Sequence, residues 1–346
     1  MRMIPIALIG FGNVGQAFAR LLKQKQDELK SRYQIKPQVV AIATGHHGMA
    51  LSPEGLDLPL ALELADSNQS LASLSPQPAP GSVLELIHAC QAQVLFENSP
   101  VNYTSGQPAL QHIQTALEAG MHVVSANKGP LVHGYRQLMD LAQSMGCRYL
   151  FESTVMDGAP VFGMWREALP GAKLQSVRGV LNSTTNLIFN RMEQGQSFDQ
   201  AVRHAQEIGI AETDPSGDID GWDAAIKLAA IATVLMGQPL LPSQVDRTGI
   251  SHLTAADIQA SQQQGLRWKL VCSASLSSGG LKATVRPEAV GPEDPLYFVS
   301  GTSSAITFHS DVLGPLTLTE QDPGPQTTAY GLLADFLNAV APGQPD

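Results

Sequence analysis

Residues 4–9, Ile-Pro-Ile-Ala-Leu-Ile, are a short apolar run that ends on Gly10-Phe11-Gly12-Asn13-Val14-Gly15. Beyond it, Val14, Ala17, Phe18, Leu21 and Leu22 recur at helical spacing. A buried strand that enters a glycine turn and leaves as a helix is the context in which the glycine pattern carries meaning. The glycines permit a sharp turn and let the backbone approach a pyrophosphate, which rests on the N–H groups at the helix start. Gly10, Gly12, Asn13, Val14 and Gly15 are therefore candidate contacts to a dinucleotide; the alternative is merely a tight strand-to-helix turn.

The strand and helix alternation then repeats. A second apolar strand, 39–43, ends at Thr44-Gly45-His46-His47, where an NAD-specific site usually places an Asp or Glu on the ribose 2′-hydroxyl. None stands there; Glu54 and Asp57 lie beyond a loop. A tip without an acid does not repel a 2′-phosphate, so NADP, or both NADP and NAD, is the expected cofactor, with Thr44 as a contact. His46 and His47 either approach that phosphate or stay solvated. Residues 66–82, rich in Ser, Pro, Gln and Asn, read as a loop. A helix over 82–92, a strand over 94–97, a helix over 106–119 and a strand over 122–125 come next. This order predicts a doubly wound parallel sheet, the Rossmann arrangement, whose ligands bind at the carboxyl ends of the strands. Ser99, Asn127 and Lys128 fall at such ends, as cofactor contacts or as ordinary turn residues with a solvated lysine.

The chain has 346 residues, enough for two domains with substantial cores. Charged residues make up 15% of it, against roughly 25% in ordinary soluble domains, and the formal charge is −10 with no basic cluster. Nucleic acid is excluded as a partner. No apolar run reaches the roughly 18 residues of a membrane span, and the start lacks the pattern of a signal peptide. Cys90, Cys147 and Cys272 are an odd set without paired spacing, so neither a disulfide framework nor a zinc site is expected, and a reducing cytoplasmic setting fits. Beyond about 150 the pattern changes to strands over 177–181, 268–276, 281–286, 304–308 and 316–319, with a helix over 330–340. We expect a cofactor-binding domain over 1–150 completed by 320–346, and a second, mixed α/β substrate domain over 151–319.

Ser197-Phe198-Asp199-Gln200 resembles a capping box for a helix that ends at Gly209. The stretch from Ile210 to Gly221 then carries Glu212, Asp214, Asp218 and Asp220 in a loop that fails the calcium-loop pattern. A solvated acidic turn is the ordinary reading. The next segment argues against it, because Trp222 to Met236 is a helix, apolar nearly all round, in which Asp223 and Lys227 stand one turn apart. An exposed pair of this kind contributes only about 0.3 to 0.5 kcal/mol and usually sits among other charges. A partly desolvated lysine has its neutral amine brought within reach, and Asp223 orients it while opposing that shift. Lys227 is the candidate catalytic or substrate-binding residue.

Gly10 to Gly15, Ser125-Ala126-Asn127-Lys128-Gly129-Pro130, Asn182-Ser183-Thr184-Thr185-Asn186 and above all Gly209 through Lys227 resemble homoserine dehydrogenase, in order and over nearly the whole chain. The resemblance implies interconversion of L-homoserine and L-aspartate 4-semialdehyde with NAD or NADP, a step toward threonine, isoleucine and methionine. It implies that Lys227, with Asp223 beside it, matches the lysine that exchanges the proton at the substrate oxygen, and that in the oxidation direction Lys227 or Lys128 accepts the hydroxyl proton, which makes Lys227, Lys128 and Asp223 the catalytic candidates. Thr184, Glu212 and Asp218 hold the homoserine end, Lys128 stands at the nicotinamide, and Gly324 belongs to the cofactor set. It further implies a homodimer through the second domain and a sodium ion on Glu152 and the carbonyls of Val155, Asp157 and Ala159. Here the chain departs from the family, with Val155-Met156-Asp157-Gly158-Ala159 in place of a glycine-rich stretch, and with Asn182-Ser183-Thr184 for a commoner Asn-Gly-Thr. The length leaves no room for the ACT regulatory domain of longer members, so threonine feedback through one is not expected. Two other readings keep part of the pattern: the same fold acting on another small amino or hydroxy acid, and a catalytically silent cofactor-binding regulatory protein.

Overall fold

The computed structural model describes residues 1–341, and the chain divides into two compact units. The first runs from Met1 to Pro160 and resumes at Gly324; the second is Val161–Pro323. Residues 342–346, part of the terminal segment expected to complete the first domain, lie outside the described residues.

In the first unit β1 (Arg2–Ile9), β2 (Ile35–Ala43), β3 (Met49–Leu51), β4 (Val94–Glu97), β5 (His122–Ser125) and β6 (Tyr149–Leu150) form one sheet in the order β3-β2-β1-β4-β5-β6. All neighbours are parallel except β3, an antiparallel edge strand on β2. The doubly wound sheet expected from the alternation is present. The strand order reverses between β1 and β4, which places a ligand crevice outside their carboxyl ends. Ile4, Ile6 and Leu8 of β1 are buried in a core that Phe18, Phe96 and Phe336 share. The Phe18 and Phe96 ring centroids are 4.4 Å apart, and those of Phe96 and Phe336 5.8 Å. Phe336 belongs to the helix Pro325–Val340, so the terminal helix packs in the first unit.

Three departures in this unit have local causes. The terminal helix begins at Pro325, not Tyr330, because proline suits the first helical position and the Thr328 hydroxyl donates to the Gly324 carbonyl at 3.0 Å. The stretch 66–82 holds a 3₁₀ turn at Leu71–Leu74, capped by the Ser70 side chain. Ahead of it the helix Leu58–Asp66 opens on an Asp57 N-cap and a proline in its first turn.

The second unit carries β7 (Leu174–Val180), β8 (Asp246–Arg247), β9 (Arg267–Ser277), β10 (Gly280–Val290), β11 (Ser304–Ser310) and β12 (Leu316–Glu320) in the order β12-β11-β7-β9-β10-β8. Every pairing is antiparallel except β8 with β10, giving the mixed character expected. The helix Phe198–Glu207 has the Ser197–Gln200 capping box, and Ile208 follows its last turn. The helix Trp222–Leu235 buries ten residues, from Asp223 through Thr233.

Candidate active site

Functional side chains gather in two clusters, one in each unit. In the first, Gly10 leaves β1 with φ +92°, and a Cβ there would stand 2.4 Å from the backbone carbonyl of Asn98. A Cβ on Gly15 would stand 2.4 Å from the Gly10 carbonyl oxygen, whereas one on Gly12 would meet nothing. Two glycines thus close the turn and the third keeps its outer side open. Asn13–Gln24 is a helix whose N-cap, Gly12, supplies no side-chain hydrogen bond to the first N–H groups. Asn13 is exposed at its start, and Val14 turns toward the core.

At the tips of β4 and β5 the Asn127 amide donates to the Ser99 carbonyl at 2.9 Å, while its own oxygen accepts from Gly129 N–H at 3.0 Å. Asn127 is buried, and half-buried Lys128 comes next, at the start of the helix Gly129–His133. The Ser99 hydroxyl donates to Glu97, a carboxylate buried at the end of β4 that also faces His112 Nδ1 at 3.3 Å. Glu97 Oε2, both polar atoms of the Asn98 amide and the Tyr149 hydroxyl are sealed from solvent without a hydrogen-bond partner. Buried polar atoms are rarely left so, and with Asn98 against Gly10 they fit a site completed by a polar ligand. Thr44 comes after β2, and its hydroxyl accepts from the N–H groups of His46 and His47 at 3.2 and 2.6 Å. The tip of β2 carries no carboxylate, as the sequence indicates; His46 is exposed and His47 half-buried.

Beyond β6, Glu152 is 6% exposed and its N–H donates to the Asp335 carboxylate at 2.7 Å. Buried Val155 and half-buried Asp157 and Ala159 come after it, and Asp157 adopts φ +40°. Asp is among the few residues beside glycine that tolerate this conformation, so the glycine-rich stretch can be replaced without losing the turn. The Asp157 carboxylate accepts from the Thr327 hydroxyl at 3.1 Å. Among the described residues no group of three or more His, Cys, Asp or Glu is arranged to hold a metal ion. Gly324 begins the terminal helix, its N–H donating to Thr327 Oγ1 at 2.9 Å.

In the second unit the helix Trp222–Leu235 opens on Gly221 at φ +78°, behind a single helical turn, Ser216–Ile219, in a stretch whose sequence reads as loop. Arg247 fixes this entry, its guanidinium 3.8 Å above the Trp222 ring and donating to the Asp220 carbonyl. Lys227 Nζ is 2.9 Å from Asp223 Oδ2 and donates to the Leu181 carbonyl at 2.7 Å. The side chains of Lys227 and Asp223 are 17% and 12% exposed, so the pair is largely desolvated yet reachable. Asp218 joins them through Asn182, whose amide donates to Asp218 Oδ1 at 2.6 Å and to Asp223 Oδ2 at 3.1 Å. Burial pushes the Asp218 carboxyl above its usual range, as does the charge of Asp223, while hydrogen bonds from Asn182 and Thr184 hold it down. Thr184 is buried and lies beside the acidic loop, 3.4 Å from the Ile210 carbonyl. Glu212 stands apart on the exposed part of that loop, its carbonyl accepting from Gln206. Behind the helix, Cys272 is 1% exposed and burial pushes its thiol to about 12, so it fills space.

The structure thus brings Thr184, Asp218, Asp223 and Lys227 together and leaves Glu212 outside their hydrogen bonds. Asn182 and Glu97 do not stand out in the sequence as site residues. An Asn before the polar start Ser183-Thr184-Thr185 is a legible N-cap signal, and Glu97 is a charge ending an apolar strand; each marks a structured position, though neither announces its partners.

Residues 160–337 match the family model described as homoserine dehydrogenase, and residues 10–152 match that of its NAD binding domain. The chain is 32% identical to the NAD(+)-dependent homoserine dehydrogenase of Pseudomonas canavaninivorans, covering 98% of this chain and 96% of that protein. It is 34% identical to the homoserine dehydrogenase of Methanocaldococcus jannaschii, over 97% of this chain and 98% of that one. A solved hyperthermophilic archaeal homoserine dehydrogenase in complex with NADPH superposes with a TM-score of 0.81 at 30% identity, covering 98% of each chain.

Proposed function

Because the chain belongs to the homoserine dehydrogenase family, an oxidoreductase family that uses a nicotinamide cofactor, we propose a division of labour within it in which the first unit holds the cofactor and the second binds and deprotonates L-homoserine. The observation that carries this reading is the largely desolvated pair Asp223 and Lys227 on one helix, with half-buried Asp218 of the preceding turn tied to them through Asn182.

Homoserine carries an ammonium, a carboxylate and a hydroxyl on carbon 4. Asp218, half-buried and held by two donors, suits the ammonium, with buried Thr184 beside it and Glu212 on the exposed loop as a further carboxylate for the homoserine end. Lys227 is fixed by two acceptors, the Leu181 carbonyl and Asp223, so its nitrogen is oriented before substrate arrives. In the oxidation direction that nitrogen takes the hydroxyl proton as the carbon–hydrogen bond of carbon 4 breaks; in reduction it returns the proton to the carbonyl oxygen. When bound, the nicotinamide supplies the two-electron acceptor. Gly10, Gly12, Asn13, Val14 and Gly15 would hold its pyrophosphate, Thr44 its adenosine ribose, and Ser99, Asn127, Lys128 and Gly324 the remainder, with Lys128 at the nicotinamide. The absence of a carboxylate at Thr44 favours acceptance of NADP, alone or with NAD.

The test is homoserine-dependent reduction of NAD+ and NADP+. Wild type turns over, with NADP+ used at least as well as NAD+. Lys227→Ala loses orders of magnitude in kcat with cofactor affinity retained, since removal of a positioned proton acceptor costs about 10²–10⁴-fold. Full activity in that variant would remove Lys227 from the mechanism. Oxygen donors on an irregular backbone suit a hard cation, and we assign sodium to Glu152 and the carbonyls of Val155, Asp157 and Ala159 as a structural ion. Equal stability in sodium and choline chloride would refute that. We further assign a homodimer through the second unit, which a monomeric sedimentation coefficient would exclude. We also assign the protein to the reducing cytoplasm, a reading that three unpaired cysteines support and that cell fractionation tests.

A further inference from the structure

Asn182 lies just beyond β7 and caps the helix Ser183–Glu193: its Oδ1 accepts from Thr185 N–H at 2.9 Å. It is 2% exposed. Its Nδ2 has two hydrogens, and both are spent on carboxylates, one on Asp218 Oδ1 at 2.6 Å and one on Asp223 Oδ2 at 3.1 Å. The amide orientation is fixed by this set. Turned over, the same group would aim oxygen at two carboxylates and N–H at an N–H. The helix cap therefore locks the donor face toward the two acids.

The arrangement solves an electrostatic problem. Two carboxylates within reach of one nitrogen repel each other, and burial strengthens the repulsion. Left alone, one of the pair takes a proton, as carboxylates sharing a site do. Asp223 must stay charged to hold Lys227, with which it shares Oδ2, and Asp218 must stay charged to attract an ammonium. The residue before the clamp, Leu181, gives Lys227 its other contact, so two consecutive positions after β7 grip the whole cluster.

We propose that Asn182 is a positioning residue whose amide clamps Asp218 and Asp223 side by side, allowing one to bind the substrate ammonium while the other orients Lys227. The inference rests on the reading of Asp218, Asp223 and Lys227 as the substrate site.

The decisive variant is Asn182→Asp. Asp caps a helix as well as Asn does, and it is isosteric, so the structural role survives. It loses both N–H groups and adds a third carboxylate. We expect kcat/KM for homoserine to fall at least about 100-fold, since two hydrogen bonds to charged groups are lost. The dissociation constant for NADPH stays near wild type, while the third carboxylate lowers the unfolding midpoint. If Asn182→Asp proves too poorly folded to assay, Asn182→Ser decides, because serine also caps but cannot span two carboxylates. It too should lose homoserine efficiency while keeping the NADPH constant. Wild-type efficiency in either folded variant, with Lys227→Ala inactive, overturns the clamp and leaves the site intact. Full activity in Lys227→Ala instead overturns the reading on which the clamp depends.

Discussion

Lys269 lies in β9 at 0% exposure, and among the described residues no carboxylate is bonded to it. Its ammonium donates to Asn186 Oδ1 at 3.0 Å and to the Val299 carbonyl, while Asn186 in turn donates to the Gly301 carbonyl at 3.0 Å. Burial lowers its pKa from 10.5 to about 8, with Glu193 opposing and Arg267 adding to the shift. The sign comes from linkage. Between the two values the unfolded chain carries a proton that the folded one has released, so stability rises with pH across that window. Below pH 8 the folded protein bears the whole cost of the buried charge, roughly 3 kcal/mol for a displacement of this size at about 1.4 kcal/mol per unit. At about pH 9.5 only roughly 1 kcal/mol of that cost remains, so this one group contributes a gain of about 2 kcal/mol between pH 7 and 9.5. The perturbation is Lys269→Met, which removes the charge and leaves two buried acceptors unpaired, at about 1–3 kcal/mol each. At pH 7 the two effects nearly offset, and the diagnostic is the slope with pH, not the absolute stability. Trp165, Trp222 and Trp268 all lie in the second unit, so tryptophan fluorescence during urea unfolding reports on that unit alone. The wild type should gain about 2 kcal/mol on the variant between pH 7 and 9.5. Parallel pH dependences in the two proteins would refute the reasoning.

Two further outcomes are expected from the geometry. Gly15→Ala places a methyl 2.4 Å from the Gly10 carbonyl oxygen, so it should destabilise the first unit by about 1–3 kcal/mol and weaken NADPH binding more than homoserine binding, measured by calorimetry and steady-state kinetics. Among the cysteines, Cys90 and Cys272 are buried with thiols raised by desolvation, while Cys147 is partly exposed. A thiol reagent at neutral pH should modify Cys147 first and the other two only on unfolding; fast labelling of Cys272 would show that the 222–235 helix opens readily.

The first unit was legible because its signals are local. An apolar run, a glycine turn and a helical period lie within about twenty residues, and the strand alternation beyond them admits few topologies. Lys227 was legible for the opposite reason: in a chain with few charges, one cation in an apolar helix is conspicuous. Pairing over distance is the part that the sequence hid. Asn182 is 36 residues from Asp218 and 41 from Asp223, and Lys269 meets Asn186 across 83. In each case the polar residue has a sound local reason to be where it is, a cap for Asn182 and a strand position for Lys269, so local patterns mask the second role. Glu212 shows the reverse. The resemblance groups it with Asp218 at the homoserine end, and in the structure the turn at Ser216–Ile219 holds Asp218 half-buried while Glu212 stays exposed before it. The difference lies in what each acid is bonded to: Asp218 has two donors at the start of the helix 183–193 that offset its partial burial, and a carboxylate without such donors remains at the surface. The exposed loop and the fixed Asp218 should separate kinetically, with Glu212→Gln raising KM for homoserine and leaving kcat nearly unchanged, whereas Asp218→Asn lowers both kcat and kcat/KM. Equal losses of kcat in the two variants would place Glu212 inside the fixed cluster after all.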